Sequence, residues 1–236
     1  MRAITKKREP STLQQWKAVQ INTQQNFNYT NLPTLVKNDI KNALLIEQGY
    51  LCAYTMRRLE TVTDCHIEHV KAQASEPNLD LDYSNMVACF PQNGGDISHG
   101  YGAPIKADLA VTFNQNFISP HHARCASRFC YNKQGSISEK NIDDIAASRT
   151  IEILKLNQRS LEEMRLRALE AFGIVIARST SRRRNRHYAT AAEARRIAET
   201  VMQMDQNGKL EPFCSAIACV ANIYANKEEK RSKRLV

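Results

Sequence analysis

The hydrophobic positions of the chain change from a helical spacing to a strand-like spacing and back again. The first 30 residues are polar and rich in Gln and Asn, which indicates an arm with one short helix around STLQQWKAVQ, capped by Ser11. From residue 32 the spacing is helical, and one face is formed by Leu35, Ile40, Ala43, Leu44 and Glu47. We expect Gly49 to end this helix.

A segment rich in β-branched and aromatic residues follows. YLCAYT and TVTDCHIEHV predict two paired strands, with MRRLE as the turn between them. The stretch 77–108 contains four glycines together with Pro91 and Pro104, and this composition predicts mostly loop. Functional side chains are frequently found in such loops. A further histidine-containing stretch, HHARC at 121–125, predicts a loop without a ligand role.

After Ser148 the spacing is helical to the end of the chain. Ser160 with Glu163, and Thr190 with Glu193, have the spacing of capping boxes, each of which predicts the start of a helix. A third helix is predicted to begin with Pro212 in its first turn. The fold class that follows is α+β, with most of the chain helical.

Composition and charge narrow the class of protein. Hydrophobic residues make up 42% and charged residues 24% of the 236 residues, which argues against global disorder. The 33 basic residues exceed the 24 acidic ones, giving a net charge of +9, which favours a polyanionic partner such as nucleic acid. MRAITKKREP is charged and lacks an apolar core, so we expect no secretory leader. The number of cysteines is odd, seven, and together these features predict a protein of the reducing cytoplasm. We expect no membrane anchor.

The stretch DCHIEHVKA, residues 64–72, is crowded with groups that can bind metals or transfer protons. In a strand Cys65, Ile67 and His69 point to one side, whereas His66, Glu68 and Val70 point to the other. An adjacent carboxylate and imidazole suit metal-assisted hydrolysis of a phosphodiester, with the carboxylate on Mg²⁺ and the imidazole as base. Alternatively, His66 and Glu68 lie on one side and hold a softer metal.

The order of these groups along the chain resembles that of a known nuclease family. Cys52, the pair Glu68 and His69, Asn85, Cys89 and Lys106 follow one another as in the HNH, or ββα-metal, endonucleases. MRAITKKREPSTLQQW and GSISEKNIDDIAASRTIEILKLNQRSLEEMR are similar to segments of the retron- and Septu-associated HNH endonucleases, the PtuB-like family. The similarity covers roughly residues 1 to 170.

The resemblance implies an α+β fold in which a small ββα-metal (HNH) nuclease core is embedded in a mostly α-helical protein. It divides the chain into an amino-terminal arm and helix at 1–50, the nuclease core at 51–125, and a helical carboxyl-terminal region at 126–236 with a basic patch.

The resemblance also implies roles for individual residues. His69 is expected to be the general base, Glu68 a ligand of a catalytic Mg²⁺ or Mn²⁺, and Asn85 the residue that orients the histidine or its loop. Lys106 is expected to contact phosphate. The last metal ligand of the family is not evident beside Gly102, and the candidates for it are His99, Asp96 and Asp108. His66, the alternative partner of Glu68, is a further candidate ligand of the metal.

The chain departs from the family where a structural zinc site is expected. Relatives have two cysteine pairs. Here Thr55 stands where the second cysteine of the first pair is expected, three residues after Cys52, and Gly102 stands where the cysteine after Cys89 is expected. Four thiolates cannot be assembled from these positions. Either the zinc has been lost, which we expect, or one of Cys65, His66 and His99 completes the site.

Five arginines lie within nine residues in the connector RSTSRRRNRHY, residues 178–188. This spacing is suited to binding phosphates, and the candidates are Arg182, Arg183, Arg184 and Arg186. The alternative is a solvated connector between helices.

Taken together, the resemblance implies a metal-dependent endonuclease that acts as the toxic effector of a bacterial anti-phage defence system. Its expected partner is an ATPase subunit, and a retron reverse transcriptase with its RNA–DNA product is a further candidate partner. Its expected substrate is nucleic acid, either DNA or transfer RNA. The alternative is an HNH-fold subunit that binds nucleic acid as a scaffold without catalysis.

Overall fold

The computed structural model describes residues 1–22, 28–174 and 190–232. In these three ranges it contains seven α-helices and two separate two-stranded antiparallel sheets, which is a mixed α and β fold. In chain order the elements are α1 Ser11–Asn22, α2 Thr34–Gln48, β1 His66–His69, β2 Met86–Cys89, α3 Ala103–Lys106, β3 Phe129–Tyr131, β4 Ile137–Glu139, α4 Ile145–Ile153, α5 Arg159–Ala171, α6 Ala191–Thr200 and α7 Cys214–Ser232.

Helix α2 ends where the sequence predicts. Gly49 adopts a left-handed conformation with φ of 60°, and its N–H donates to the carbonyl groups of the last helical turn. The buried face is formed by Val36, Ile40 and Leu44, each four residues from the next. Leu35, which was expected on this face, is 71% exposed because it lies about 100° around the helix from Val36.

The first sheet does not form from the two segments that were predicted to pair. β1 pairs with β2, with Glu68 opposite Val87 and His69 opposite Met86. The segment 51–58 instead folds into a tight turn, in which the Cys52 N–H donates to the Arg57 carbonyl at 2.8 Å. The Ala53 N–H of this turn donates to the Ala88 carbonyl of β2 at 3.1 Å. The predicted pairing partner was therefore wrong, because β1 pairs with β2, a short strand within the mostly loop stretch 77–108.

The second sheet, β3 with β4, was not predicted from the sequence. Its strands have only three residues each, too few for an alternating pattern to be recognised. Gly135 lies in the turn between them with φ of 87°, and a Cβ atom at this position would lie 2.2 Å from the backbone oxygen of Glu162 in α5. Only glycine therefore lets the hairpin pack against that helix.

Of the two capping boxes predicted in the carboxyl-terminal half, the structure contains one. Thr190 and Glu193 form a capping box at the start of α6, as predicted. The predicted box at Ser160 was wrong, because α5 already begins at Arg159 and the side chain of Gln158 accepts from the Arg159 N–H. Pro212 lies just before α7 and not within its first turn.

The amino-terminal arm packs into the core through a buried carboxylate on α2. Glu47 accepts hydrogen bonds from Lys6 Nζ at 2.9 Å, from the Lys7 N–H at 2.8 Å and from the Tyr83 hydroxyl at 2.8 Å. His121 lies beside this group, and burial together with the positive charge of Lys6 lowers the pKa of His121 to about 4. The cluster thus connects residues that are distant in sequence.

None of the helices in the described ranges combines the length with the apolar composition needed to cross a membrane.

We predict that His121 makes folding sensitive to acid. An unfolded histidine takes up its proton near pH 6.5, whereas folded His121 does so only near pH 4, so acidification stabilises the unfolded chain. Lowering the pH from 7 to 5 should cost about 2 kcal/mol of unfolding free energy through this group. In urea denaturation at both pH values, His121→Gln should reduce the difference between them by about that amount. An unchanged difference would contradict the assignment.

Candidate functional site

The side chains of β1 alternate as the sequence predicts. Ile67 and His69 are buried, whereas His66 and Glu68 are partly exposed on the other face. His69 is the last residue of the strand and is 6% exposed. Glu68 and His69 therefore lie at a strand end, where an adjacent pair can act on one substrate although their side chains leave opposite faces of the strand.

The His69 imidazole is held in one orientation by a backbone carbonyl. Its Nε2 lies 2.8 Å from the Asp80 carbonyl oxygen, which can only accept, so Nε2 carries a proton. In the neutral ring Nδ1 then carries the lone pair. Burial lowers the pKa of His69, which favours this neutral form near pH 7. The arrangement leaves Nδ1 as the basic atom.

The Tyr29 ring packs against the His69 imidazole. The rings of Tyr29 and His69 meet edge to face with their centroids 4.8 Å apart, and the Tyr29 N–H donates to Asp80 Oδ2 at 2.9 Å. Asp80 thus binds both residues, His69 through its backbone oxygen and Tyr29 through its carboxylate. Neither Tyr29 nor Asp80 was predicted as a site residue, because no local pattern links them to His69.

Asn85 orients the loop that carries Asp80. Its Nδ2 donates to the carbonyl oxygens of Lys71 at 2.9 Å and Leu79 at 3.4 Å, and its Oδ1 accepts from the Lys71 N–H at 2.9 Å. The amide therefore joins the chain just after β1 to the residue before Asp80. The role expected of Asn85, orienting the histidine or its loop, stays a prediction to which these contacts are relevant.

A buried lysine holds both members of the Glu68–His69 pair. Lys106 Nζ donates to Glu68 Oε1 at 2.8 Å and to the His69 carbonyl oxygen at 3.1 Å. The Lys106 side chain is 0% exposed and that of Glu68 is 12% exposed. The structure thus places Lys106 in the interior as the charge partner of Glu68, whereas the sequence suggested a contact with phosphate.

The second oxygen of Glu68 faces His66. Glu68 Oε2 lies 3.8 Å from His66 Nε2, and His66 Nδ1 bonds the Pro91 carbonyl and so carries a proton. Burial opposes protonation of His66, but its interactions with Glu68 and Pro91 outweigh burial and raise its pKa. When His66 is neutral, its Nε2 lone pair and Glu68 Oε2 form a two-atom donor set for a divalent cation that accepts nitrogen and oxygen ligands.

The other predicted metal ligands lie apart from this pair. His99 Nδ1 and Nε2 lie 3.1 Å and 3.0 Å from the carbonyl oxygens of Asp96 and Tyr101, and Asp108 is exposed. Across the described ranges, no three side chains of His, Cys, Asp or Glu form a group that could hold a metal ion. A cation on Glu68 and His66 would therefore take its remaining ligands from water or substrate, as Mg²⁺ commonly does.

The positions of the expected zinc site do come together, but without a full set of thiols. A Cβ atom on Gly102 would lie 3.4 Å from Thr55 Cγ2, and the Cys52 thiol interacts with both Thr55 and Cys89. Burial raises the pKa of Cys52, but hydrogen bonds from Cys89, Thr55 and the backbone outweigh it and lower the pKa to about 5. Two thiols, one threonine and one glycine do not fit a four-thiolate site.

The residues suggested as replacement ligands are engaged elsewhere. Cys65 contacts backbone carbonyl groups at 61 and 62, His66 lies beside Glu68, and His99 packs between aromatic rings. The region is instead joined by Arg57, whose guanidinium lies 3.8 Å from the centre of the Phe90 ring and donates to the Tyr101 hydroxyl at 2.6 Å. These contacts connect the three segments that a zinc ion would join.

The four arginines predicted to bind nucleic acid, Arg182, Arg183, Arg184 and Arg186, lie outside the described residues.

Comparison with known proteins adds no family to this description. No protein-family model matches the chain, and no curated protein matches it either. The resemblance to HNH endonucleases therefore remains an expectation drawn from the sequence, and the chemistry of the site is inferred from the contacts of Glu68, His69, Asn85 and Lys106.

We predict that Tyr29 contributes to the lowered pKa of His69. In Tyr29→Ala the imidazole gains contact with water, so its pKa should rise towards 6.5, the ordinary value. Tyr29→Phe keeps the ring and should leave the pKa of His69 unchanged. The measurement is an NMR titration of the imidazole resonances in metal-free buffer. Equal pKa values in Tyr29→Ala and wild type would show that other residues keep water from His69.

We further predict that Lys106 is required for stability. Lys106→Met leaves the Glu68 carboxylate without its cation in a poorly hydrated position, and should lower the unfolding free energy by about 3 kcal/mol. The control is Lys71→Met, which removes a more exposed ion pair with Glu76 and should cost less than about 1 kcal/mol. Urea denaturation measures both. Equal losses would contradict the special role of Lys106.

Proposed function

We propose that the protein is a metal-dependent endonuclease of the HNH type that hydrolyses phosphodiester bonds in nucleic acid. The observation that supports this most is the His69 imidazole, which is anchored at Nε2 by the Asp80 carbonyl, leaves Nδ1 as a base, and belongs to the residue that follows Glu68 in β1. A fixed neutral imidazole beside a carboxylate is the pair that water activation at a phosphodiester requires.

The order of the surrounding elements supports the same proposal. β1 carries Glu68 and His69, Asn85 directly precedes β2, and Lys106 lies in the short helix α3. β1 and β2 are antiparallel and are followed by that helix, which is the sequence of elements expected of a ββα-metal nuclease. The fold class alone would not distinguish a nuclease from other proteins, so the positions of the side chains are the stronger argument.

The chain's own residues would divide the chemical work as follows. His69 Nδ1 removes a proton from the attacking water, and the Asp80 carbonyl stabilises the resulting imidazolium through its bond to Nε2–H. Lys106 keeps the Glu68 carboxylate in place, and Asn85 holds the loop that carries Asp80. A divalent cation held by Glu68, with His66 as the adjacent donor, would supply charge stabilisation for the phosphate oxygens and the leaving oxygen.

Charge and the sequence resemblance extend the proposal to substrate and context. A net charge of +9 favours binding to a polyanion, and both DNA and transfer RNA meet that requirement. By resemblance, we propose a cytoplasmic effector of anti-phage defence. It would act with an ATPase subunit, and a retron reverse transcriptase with its RNA–DNA product is a further candidate partner.

A non-catalytic scaffold is the second candidate function. The observation that favours it is the ion pair between Lys106 and Glu68, because the ammonium neutralises the carboxylate that would otherwise bind the cation. In that case the basic chain would bind nucleic acid with strong salt dependence but would not cut it.

We predict that His69→Ala lowers the cleavage rate by a factor of about 10² to 10⁴, because the water loses its general base. Purified wild type and variant are incubated with plasmid DNA and, separately, with total transfer RNA, in Mg²⁺ or Mn²⁺, with and without the ATPase partner. His122→Ala is the control, since His122 lies in a different loop and its Nδ1 accepts a backbone N–H. It should cleave at the wild-type rate.

Each outcome separates the candidates. Cleavage by wild type and His122→Ala, but not by His69→Ala, supports the nuclease and identifies its substrate. Cleavage that persists in His69→Ala contradicts the proposed mechanism. Binding that weakens with salt, without cleavage under any of these conditions, supports the scaffold.

A further inference from the structure

Two cysteines outside the candidate site lie against each other. Cys130 in β3 and Cys219 in α7 have their Sγ atoms 3.6 Å apart, although the residues are 89 positions apart in sequence. Both are partly exposed, whereas the other five cysteines of the chain are buried. They are therefore the two thiols that a small reagent in solution can reach.

The contacts of the pair keep the two sulfurs facing each other. Cys219 Sγ accepts the Tyr131 N–H at 3.3 Å, and its thiol lies 3.9 Å from the Tyr131 carbonyl oxygen. A disulfide requires the sulfurs to approach to about 2.05 Å. The remaining movement is about 1.5 Å, within the range of a side-chain rotation that leaves β3 and α7 in place.

We propose that Cys130 and Cys219 are a modification site for low-molecular-weight disulfides, at which a reversible bond joins β3 to α7. The Cys130 thiolate attacks one sulfur of a small disulfide such as oxidised glutathione and releases one thiolate. The Cys219 thiolate then attacks the Cys130 sulfur and releases the second. Two protein thiols are oxidised, the small disulfide is reduced to two thiols, and the two protons that the protein thiols lose end on the two released thiols.

The order of the two steps follows from the surroundings of Cys219. Burial and the neighbouring Cys130 raise the pKa of Cys219 to about 11, although the Tyr131 N–H and Lys140 oppose the rise. Little of Cys219 is thiolate at neutral pH, so it is a slow first nucleophile. Once a mixed disulfide has formed on Cys130, the attack by Cys219 is intramolecular and the high local concentration offsets the small thiolate fraction.

The bond would act on the carboxyl-terminal helices. Helix α7 packs against α6, α5 and β3, so a covalent link to β3 fixes the α6 and α7 pair to the rest of the chain. Because the bond closes a loop of about 90 residues, it removes much conformational freedom from the unfolded chain. This inference does not depend on the proposed nuclease activity.

The test treats the full-length protein with oxidised glutathione and measures the intact mass under non-reducing conditions. Wild type should lose two hydrogen atoms, and peptide mapping should find Cys130 joined to Cys219. The oxidised protein should melt on the order of 5–10 °C higher than the reduced protein, and a reducing thiol should reverse the shift.

The single variants test the order of events. Cys219→Ser should stop at one bound glutathione on Cys130, and Cys130→Ser should react slowly or not at all. Cys219→Ala provides a second variant if the serine disturbs α7, and circular dichroism verifies the fold of each. A wild type that retains bound glutathione without closing the bond, or a bond between other cysteines, would overturn the proposal.

Discussion

The buried ammonium group of Lys106 is the interaction on which the candidate site depends. It binds the side chain of Glu68 and the backbone of His69 at once, so one cation fixes both members of the pair relative to α3. A lysine without exposed surface is stable only when acceptors replace its lost hydration, and here a carboxylate and backbone carbonyl groups do so. The same contact joins the short helix α3 to β1, whose backbone pairs with β2.

A second constraint acts on His69 from the opposite side. Asp80 accepts from the imidazole through its backbone and from the Tyr29 backbone through its carboxylate, and Asn85 fixes the loop in which Asp80 lies. The imidazole is consequently oriented by backbone groups, which side-chain rotation cannot displace. Burial lowers the pKa of the imidazole and favours the neutral state of the base, and the Tyr29 ring packs against it edge to face.

The region next to this site shows how a fold can be held together without a four-thiolate metal centre. The Arg57 guanidinium lies over Phe90 and bonds Tyr101, and it connects the turn at 51–58, the end of β2 and the loop before α3. Cation–π contacts and one strong hydrogen bond thus act where Thr55 and Gly102 supply no thiolate. Each of these contacts is weaker than a metal bond, and together they join the same segments.

Local features of the structure were predictable from the sequence alone. The left-handed stop at Gly49, the capping box at Thr190 and the alternation along β1 were predicted because each depends on neighbouring residues. The pairing of β1 with β2, the burial of Lys106 and the contact of Tyr29 with His69 were decided only by the tertiary structure. These contacts join segments separated by long loops, and the packing that brings them together leaves no periodic pattern in the sequence.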